Sequence, residues 1–175
     1  MVRYADDFVI LCRSAEDAER ALAEVRTWVA QAGLQLHPSK TRLVHAEQDG
    51  FDFLGYHFRG SGKRWPRRKS QAKLYATIRG KTRRTEGHSL GVIIANVNRK
   101  LVGWFGYFKH SSRRSLATLD SWVRMRLRSI LRRRAGRRGR GRGDDHHRWP
   151  NAFFAEQGLY SLDTAHTLAC QSSYG

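Results

Sequence analysis

Val2-Arg3-Tyr4-Ala5-Asp6-Asp7-Phe8-Val9-Ile10-Leu11 opens the chain with two short β-prone runs on either side of Ala5-Asp6-Asp7. Apolar strands joined by a tight, Asp-bearing turn read as a β-hairpin. Two adjacent carboxylates at a strand end are hard oxygen ligands of the kind Mg²⁺ takes. In nucleotidyl transfer two such metals sit about 4 Å apart, one at the attacking hydroxyl and one at the leaving group. An isolated Asp-Asp pair is also ordinary turn chemistry, so the flanking sequence has to decide between the two.

Downstream, Ser14 has the position of an N-cap, with Asp17 three residues on. Ala18, Leu22, Val25, Val29 and Ala32 follow at helical spacing and Gly33 stops the run, which predicts an amphipathic helix over 15–32. Leu34 to His45 holds two apolar pieces around His37-Pro38-Ser39-Lys40, a loop expected to lead into a strand at Thr41–Val44. Asp49-Gly50 is a turn signal, and the aromatic run Phe51 to Phe58 with Gly55 inside it predicts a second hairpin. Residues 59–70, basic and punctuated by Gly and Pro, read as a linker between domains.

Beyond it the apolar period changes from 2 to 3.6. A basic helix is expected over 71–84. Ser89 can cap a second, whose stripe is Leu90, Ile93, Ile94, Val97, Leu101, Trp104, Phe105 and Phe108. A third is expected over 112–134, burying Leu116, Leu119, Val123, Leu127, Ile130 and Leu131. Arg124, Arg126, Arg128 and Arg132 would face outward from it. Residues 136–148 begin with alternating Arg and Gly and read as a flexible segment, in which Asp144-Asp145-His146-His147 reads as a solvated loop. Residues 149–175 are apolar enough to dock back. The organisation is therefore 1–58, 59–70, 71–135, 136–148 and 149–175, with an α+β fold class.

Charge separates these pieces. Residues 1–58 carry 6 basic and 9 acidic side chains, 59–142 carry 26 and 2, and 143–175 carry 1 and 4, for a total of +18. The middle block repels itself strongly unless a polyanion neutralises it. Its charge spans several predicted elements and is interleaved with Trp65, Tyr75, Trp104, Tyr107 and Trp122, which favours nucleic acid over a lipid surface. Arg outnumbers Lys 26 to 7, and guanidinium forks suit phosphate and stacked bases. A hydrophobic content of 40% excludes wholesale disorder. Cys12 and Cys170 are too few for a disulfide scaffold or a zinc finger. No apolar run reaches the ~18–20 residues needed to cross a bilayer, and the first residues hold no signal-peptide core. No Walker-type loop, dinucleotide fingerprint or convergent His/Cys ligand spacing is present.

Tyr4-Ala5-Asp6-Asp7 between apolar strands resembles the catalytic turn of reverse transcriptases. The helix after it, Leu34-Gln35-Leu36-His37-Pro38-Ser39-Lys40-Thr41 and Phe53-Leu54-Gly55-Tyr56 follow in the order and spacing of the later palm motifs of group II intron reverse transcriptases. Gly103-Trp104-Phe105-Gly106-Tyr107-Phe108, the Arg-rich helix behind it, and Trp149-Pro150-Asn151-Ala152-Phe153-Phe154 through Gly158-Leu159-Tyr160-Ser161-Leu162 resemble the maturase, or thumb, domain of the same family. The resemblance implies a partial palm of antiparallel hairpins and a helix, followed by a basic all-helical thumb.

It further implies that Asp6 and Asp7 are the catalytic, metal-binding aspartates, with Mg²⁺ as the cofactor of the intact enzyme and Asp6 the better candidate for direct contact. By the same resemblance Tyr4 supports the primer end, Lys40 lies near the incoming nucleotide's phosphates, and Phe53, Leu54 and Gly55 belong to the primer grip. Arg113, Arg114, Arg124, Arg128 and Arg132, with Trp104 and Tyr107, are the expected RNA contacts. Partners would be group II intron RNA, a DNA primer or target and a complementing N-terminal fragment, since the fingers and the upstream palm aspartate lie outside these residues. There would be no membrane partner, and the expected location is cytoplasmic, bacterial in type, on RNA or nucleoid. Two rival readings stay open: an RNA-binding module or truncated remnant without catalysis, and a basic DNA-binding protein in which the Asp-Asp turn is accidental.

Overall fold

The computed structural model describes residues 1–141 and 143–172. The chain divides into two units, Met1–Gly62 and Lys63–Gly175, and its fold class is α+β. Arg142, the end of the basic block, and residues 173–175 of the docking segment lie outside the described residues.

In the first unit, β1 (Val2–Tyr4) and β2 (Asp7–Val9) form an antiparallel hairpin with Val2 opposite Val9, Arg3 opposite Phe8 and Tyr4 opposite Asp7. Two residues, Ala5 and Asp6, make the turn. Helix α1 (Ala15–Gln31) starts where the sequence places it, because the Ser14 hydroxyl accepts the Asp17 N–H at 3.1 Å. It stops at Gly33, whose φ of 67° allows Leu34 N–H to reach back to the Val29 carbonyl at 2.9 Å. Glu16, in the first turn, has its carboxyl held below the ordinary range by the backbone N–H it accepts and by Ser14.

The strand expected at Thr41–Val44 does not form; these residues are irregular, and Leu43 and Val44 are exposed. β-propensity makes a strand only where a partner backbone pairs with it, and none does so there among the described residues. The second hairpin does form. β3 (Phe51–Phe53) pairs with β4 (Tyr56–Arg59), stacking Phe51 on Phe58 at 5.3 Å and setting Asp52 opposite His57, whose Nδ1 lies 2.7 Å from its carboxylate. Leu54 and Gly55 turn the chain with φ of 47° and 79°, the two positive values a type I′ hairpin requires.

Gly50 enters this hairpin at φ 68°, and a Cβ there would lie 2.4 Å from the Phe58 carbonyl oxygen. Both the backbone sign and the close approach demand glycine. Gly50→Ala is expected to destabilise the hairpin by about 2 kcal/mol or more. Hydrogen exchange of the Phe51–Phe58 amides measures this, and unchanged protection would refute the packing.

The second unit is built on helices. The division between the units, at Gly62 and Lys63, falls inside residues 59–70, which hold the end of β4, the strand β5 (Lys63–Pro66) and the start of α2 (Arg68–Lys81). Pro66 disfavours helical backbone only at the residue before it, so the helix begins at Arg68, ahead of the expected Gln71. Then come α3 (Leu90–Phe108), capped by Ser89 as its sequence predicts, and α4 (Arg113–Arg134). Their apolar stripes meet in one core that includes Ile78, Ile93, Val97, Leu101, Leu116, Leu127 and Ile130.

The tail docks as expected. α6 (Asn151–Glu156) and α7 (Leu162–Gln171) bring fully buried Phe154 and Leu162 into that core. Asp120 of α4 fixes the entry of α7, accepting the Leu162 and Asp163 N–H groups at 3.0 and 3.1 Å and the Ser161 hydroxyl at 2.9 Å. Between α4 and α6 the supposedly flexible 136–148 includes a short helix, α5 (Asp144–Arg148), and Asp145 in it is fully buried. The Asp-Asp-His-His stretch is therefore helical rather than a loop, with Asp145 buried and Asp144, His146 and His147 exposed.

Candidate catalytic turn and nucleic-acid interface

Pairing of Tyr4 with Asp7 leaves Ala5 and Asp6 at the apex of the first hairpin, with Tyr4, Asp6 and Asp7 all exposed. Ala5 sits at φ 51°, a left-handed value that costs a non-glycine residue about 1 kcal/mol or more. Arg3 steadies it by donating Nε–H to the Ala5 carbonyl at 2.9 Å. The backbone strain is thus spent at the residue that aims the two carboxylates outward.

Strand β2 packs beside β3, so the Asp-bearing turn and the Phe53-Leu54-Gly55 hairpin belong to one small assembly. Phe53 closes β3, and Leu54 and Gly55 form its turn. Lys40 lies on an exposed turn anchored by its own N–H on the His37 carbonyl at 3.2 Å. A cavity of about 500 Å³ between α1 and residues 34–41 is lined by Val29, Leu34, Leu36, Pro38 and Thr41 among others, and neither Asp6 nor Lys40 borders it. Among the described residues no three His, Cys, Asp or Glu side chains converge as a complete metal site.

On the second unit, the outward arginine row expected on α4 is corrected. Arg128 is 3% exposed and donates to the Trp149 carbonyl at 2.8 Å and Asn151 Oδ1 at 2.7 Å, with its guanidinium 5.1 Å from the centre of the Phe154 ring. Arg126 donates to the Thr82 carbonyl at 2.6 Å and hydroxyl at 3.1 Å, so it ties α4 to the end of α2. Arg132 bonds the Arg138 carbonyl at 2.8 Å and Asp145 at 2.6 Å. Arg134 reaches the carbonyls of Glu86 and His88. Loops that pass an arginine-rich helix bring carbonyls with no secondary-structure partner, and a five-donor fork satisfies two at once. Burial, and the neighbouring Arg124, push the Arg128 pKa down; burial with Arg84 and Arg79 does the same to Arg126.

The other expected RNA contacts divide. Arg113 is engaged by Asp163 at 2.6 and 3.1 Å, which raises the pKa of the guanidinium and lowers that of the carboxyl. Arg114 is exposed, and among the described residues Arg124 reaches only the Ser121 hydroxyl, at 3.2 Å. Trp104 is half-buried, its ring 4.6 Å from Phe108, and packs against the core, whereas Tyr107 is 56% exposed. Arg137, Arg138 and Arg140, in the basic block but not singled out by sequence reading, line a cavity of about 420 Å³ with Arg132 and Asp144. The only available signal was the density of arginine there, offset by glycines that suggest flexibility.

Comparison with known families agrees with the two units. Residues 1–58 match the reverse transcriptase (RNA-dependent DNA polymerase) family, and residues 71–149 match the group II intron maturase-specific domain. No curated protein matches the chain. The matches fall in the order palm, then maturase, with Asp6 and Asp7 inside the first and the arginine-rich α4 inside the second. The chain belongs to the group II intron reverse transcriptase/maturase family, of which it carries the C-terminal palm and the maturase domain.

Proposed function

We propose that this chain supplies the catalytic turn and RNA-holding thumb of an RNA-directed DNA polymerase that also serves its group II intron RNA as a maturase. The observation that carries the reading is the first hairpin, where a strained two-residue turn holds two exposed carboxylates beside a second hairpin. The family implies polymerase activity with a divalent metal, and the donor set suits Mg²⁺. That ion takes one or two carboxylates and completes its shell with water and substrate phosphates. Bound at Asp6 and Asp7, it would activate the attacking 3′ hydroxyl and steady the leaving pyrophosphate. Tyr4, next to the turn, supports the primer end, while Phe53, Leu54 and Gly55 grip the primer strand. Lys40 offers positive charge and a proton to the nucleotide's leaving phosphates.

Maturase function implies intron RNA as the partner; a DNA primer or target is the second. The first unit leaves Val2, Tyr4, Leu11, Trp28 and Leu34 exposed and buries Val29 and Tyr56. So much uncovered apolar surface supports a further polymerase segment packing onto it, in the same or a complementing polypeptide. No helix among the described residues is long and apolar enough to cross a membrane, and the charge suits a location on RNA or the nucleoid in the cytoplasm. The self-contained core of the second unit favours one alternative, RNA binding without catalysis.

Fluorescence anisotropy of a structured RNA titrated with the chain across a salt series tests the RNA-binding half. The expected log–log slope is about −4 or steeper, from roughly six phosphates. No binding at low salt would overturn this reading.

A further inference from the structure

We propose that Arg137, Arg138 and Arg140, which follow α4, form a preformed cup that grips neighbouring phosphates of an RNA strand; the assignment to RNA rests on the RNA-binding reading above. The loop is held at three points. Gly136, at φ 75°, ends α4 so that the Gly136 and Arg137 N–H groups return to the carbonyls of Arg133 and Arg132, both at 3.0 Å. The negative end of the α4 dipole is thereby covered by the chain itself. Next, Arg132 Nε–H donates to the Arg138 carbonyl at 2.8 Å. Finally, Gly141 is buried against Arg128, and a Cβ built on it would come within 2.8 Å of Arg128 Cβ. Residues 136–141, with the composition of a flexible linker, are therefore tied back onto α4 at these points.

Along that path Arg137, Arg138 and Arg140 are exposed, and they border the cavity of about 420 Å³ together with Arg132 and Asp144. Among the described residues the first three guanidiniums have no hydrogen-bond or ion-pair partner. The acid best placed to neutralise them, Asp145, is buried and bonded to Arg132. That leaves three free forks against the single rim carboxylate of Asp144. Guanidinium forks bind phosphate oxygens in pairs, and the cavity is larger than one phosphate needs. Its lining carries no aromatic or amide side chain that could stack on or read a base. The chemistry selected is thus adjacent phosphates of a nucleic-acid backbone, without regard to sequence.

The test uses the full chain, a fluorescein-labelled RNA hairpin and anisotropy across a salt series. Three variants are compared with wild type: R137A/R138A/R140A, the same three positions as Lys, and K69A/K73A/K100A, which removes equal charge from exposed positions outside the cup. The cup predicts that the Arg→Ala variant binds about ten- to a hundredfold more weakly near 0.1 M salt, with a slope flatter by about two units. The Arg→Lys variant keeps its slope and loses affinity several-fold, and the distant lysine variant flattens by less than one unit. An unchanged slope in a folded Arg→Ala variant, or equal flattening in the lysine variant, overturns the cup while leaving RNA binding intact. Thermal melting with inorganic tripolyphosphate separates the remaining cases. A rise in Tm that disappears in the Arg→Ala variant, with no RNA bound by wild type, overturns the assignment to RNA and leaves a free-anion site. No response to either probe overturns both.

Discussion

Asp6→Ala is expected to reduce templated primer extension by a hundred- to a thousandfold or more, in a polymerase assembled from this chain and the further palm segment proposed above. The size follows from deleting an electrostatic contributor that acts on charge developing in the transition state. Asp6 is exposed at the hairpin apex, so its loss leaves the fold intact, and circular dichroism should superimpose on wild type. Asp7 pairs with Tyr4 in the ladder, and Asp7→Ala is expected to lower both extension and hairpin stability. Single-nucleotide incorporation at saturating Mg²⁺ distinguishes the two. An Asp6→Ala rate within threefold of wild type would make the turn merely structural. By itself, a polypeptide of these 175 residues is expected to give no extension, because among the described residues no third carboxylate, His or Cys joins Asp6 and Asp7 in a metal site.

Arg128→Ala is the second large effect, expected at about 3 kcal/mol of lost stability. Truncation removes two hydrogen bonds from a charged donor, worth roughly 1.5–3 kcal/mol each before relaxation. It leaves the Trp149 carbonyl and Asn151 Oδ1 without their donor and takes the guanidinium from the Phe154 ring. Arg128→Lys should recover less than half, because an ammonium cannot present the fork that spans both acceptors. Urea unfolding of the full chain reads this as a lower midpoint at constant m. Arg114→Ala, at an exposed position of the same helix, should stay within about 0.5 kcal/mol. Equal values for the two variants would overturn the structural role given to Arg128.

What was legible in the sequence was local. The two hairpins follow from the β-prone runs flanking Ala5-Asp6-Asp7 and from the aromatic run around Gly55, and the starts of α1 and α3 follow from Ser14 and Ser89, whose hydroxyls cap the N–H three residues on. The core stripes of α3 and α4 follow from the 3.6 period. What was not legible depends on segments distant in sequence. Helical spacing aligns Arg124, Arg128 and Arg132 in one row, yet it carries no information about the carbonyls at Trp149 and Arg138 that approach that row. Likewise Thr41–Val44 has strand composition, but the backbone partner that would make it a strand is not a local property. Residues 136–148 have the low complexity of an unanchored chain, and their composition carries no information about the contacts that Arg132 makes with Arg138 and Asp145. The catalytic turn was legible as a pair of carboxylates on a hairpin; the strain at Ala5 was not.

The stitching of loops onto α4 has an electrostatic corollary. Arg126, Arg128 and Arg134 bond neutral acceptors, and Arg132 alone among these four also meets a carboxylate. A guanidinium bonded to a carbonyl gives up its geometry and keeps its charge. These side chains therefore hold the fold and still contribute to the long-range field that draws a polyanion in, so their influence extends to association rate as well as stability. The same unneutralised charge opposes compaction, and a bound polyanion relieves it. By linkage, intron RNA bound to the folded domain would raise its resistance to unfolding, and the relief of this self-repulsion is one part of the binding free energy that sets the size of that effect.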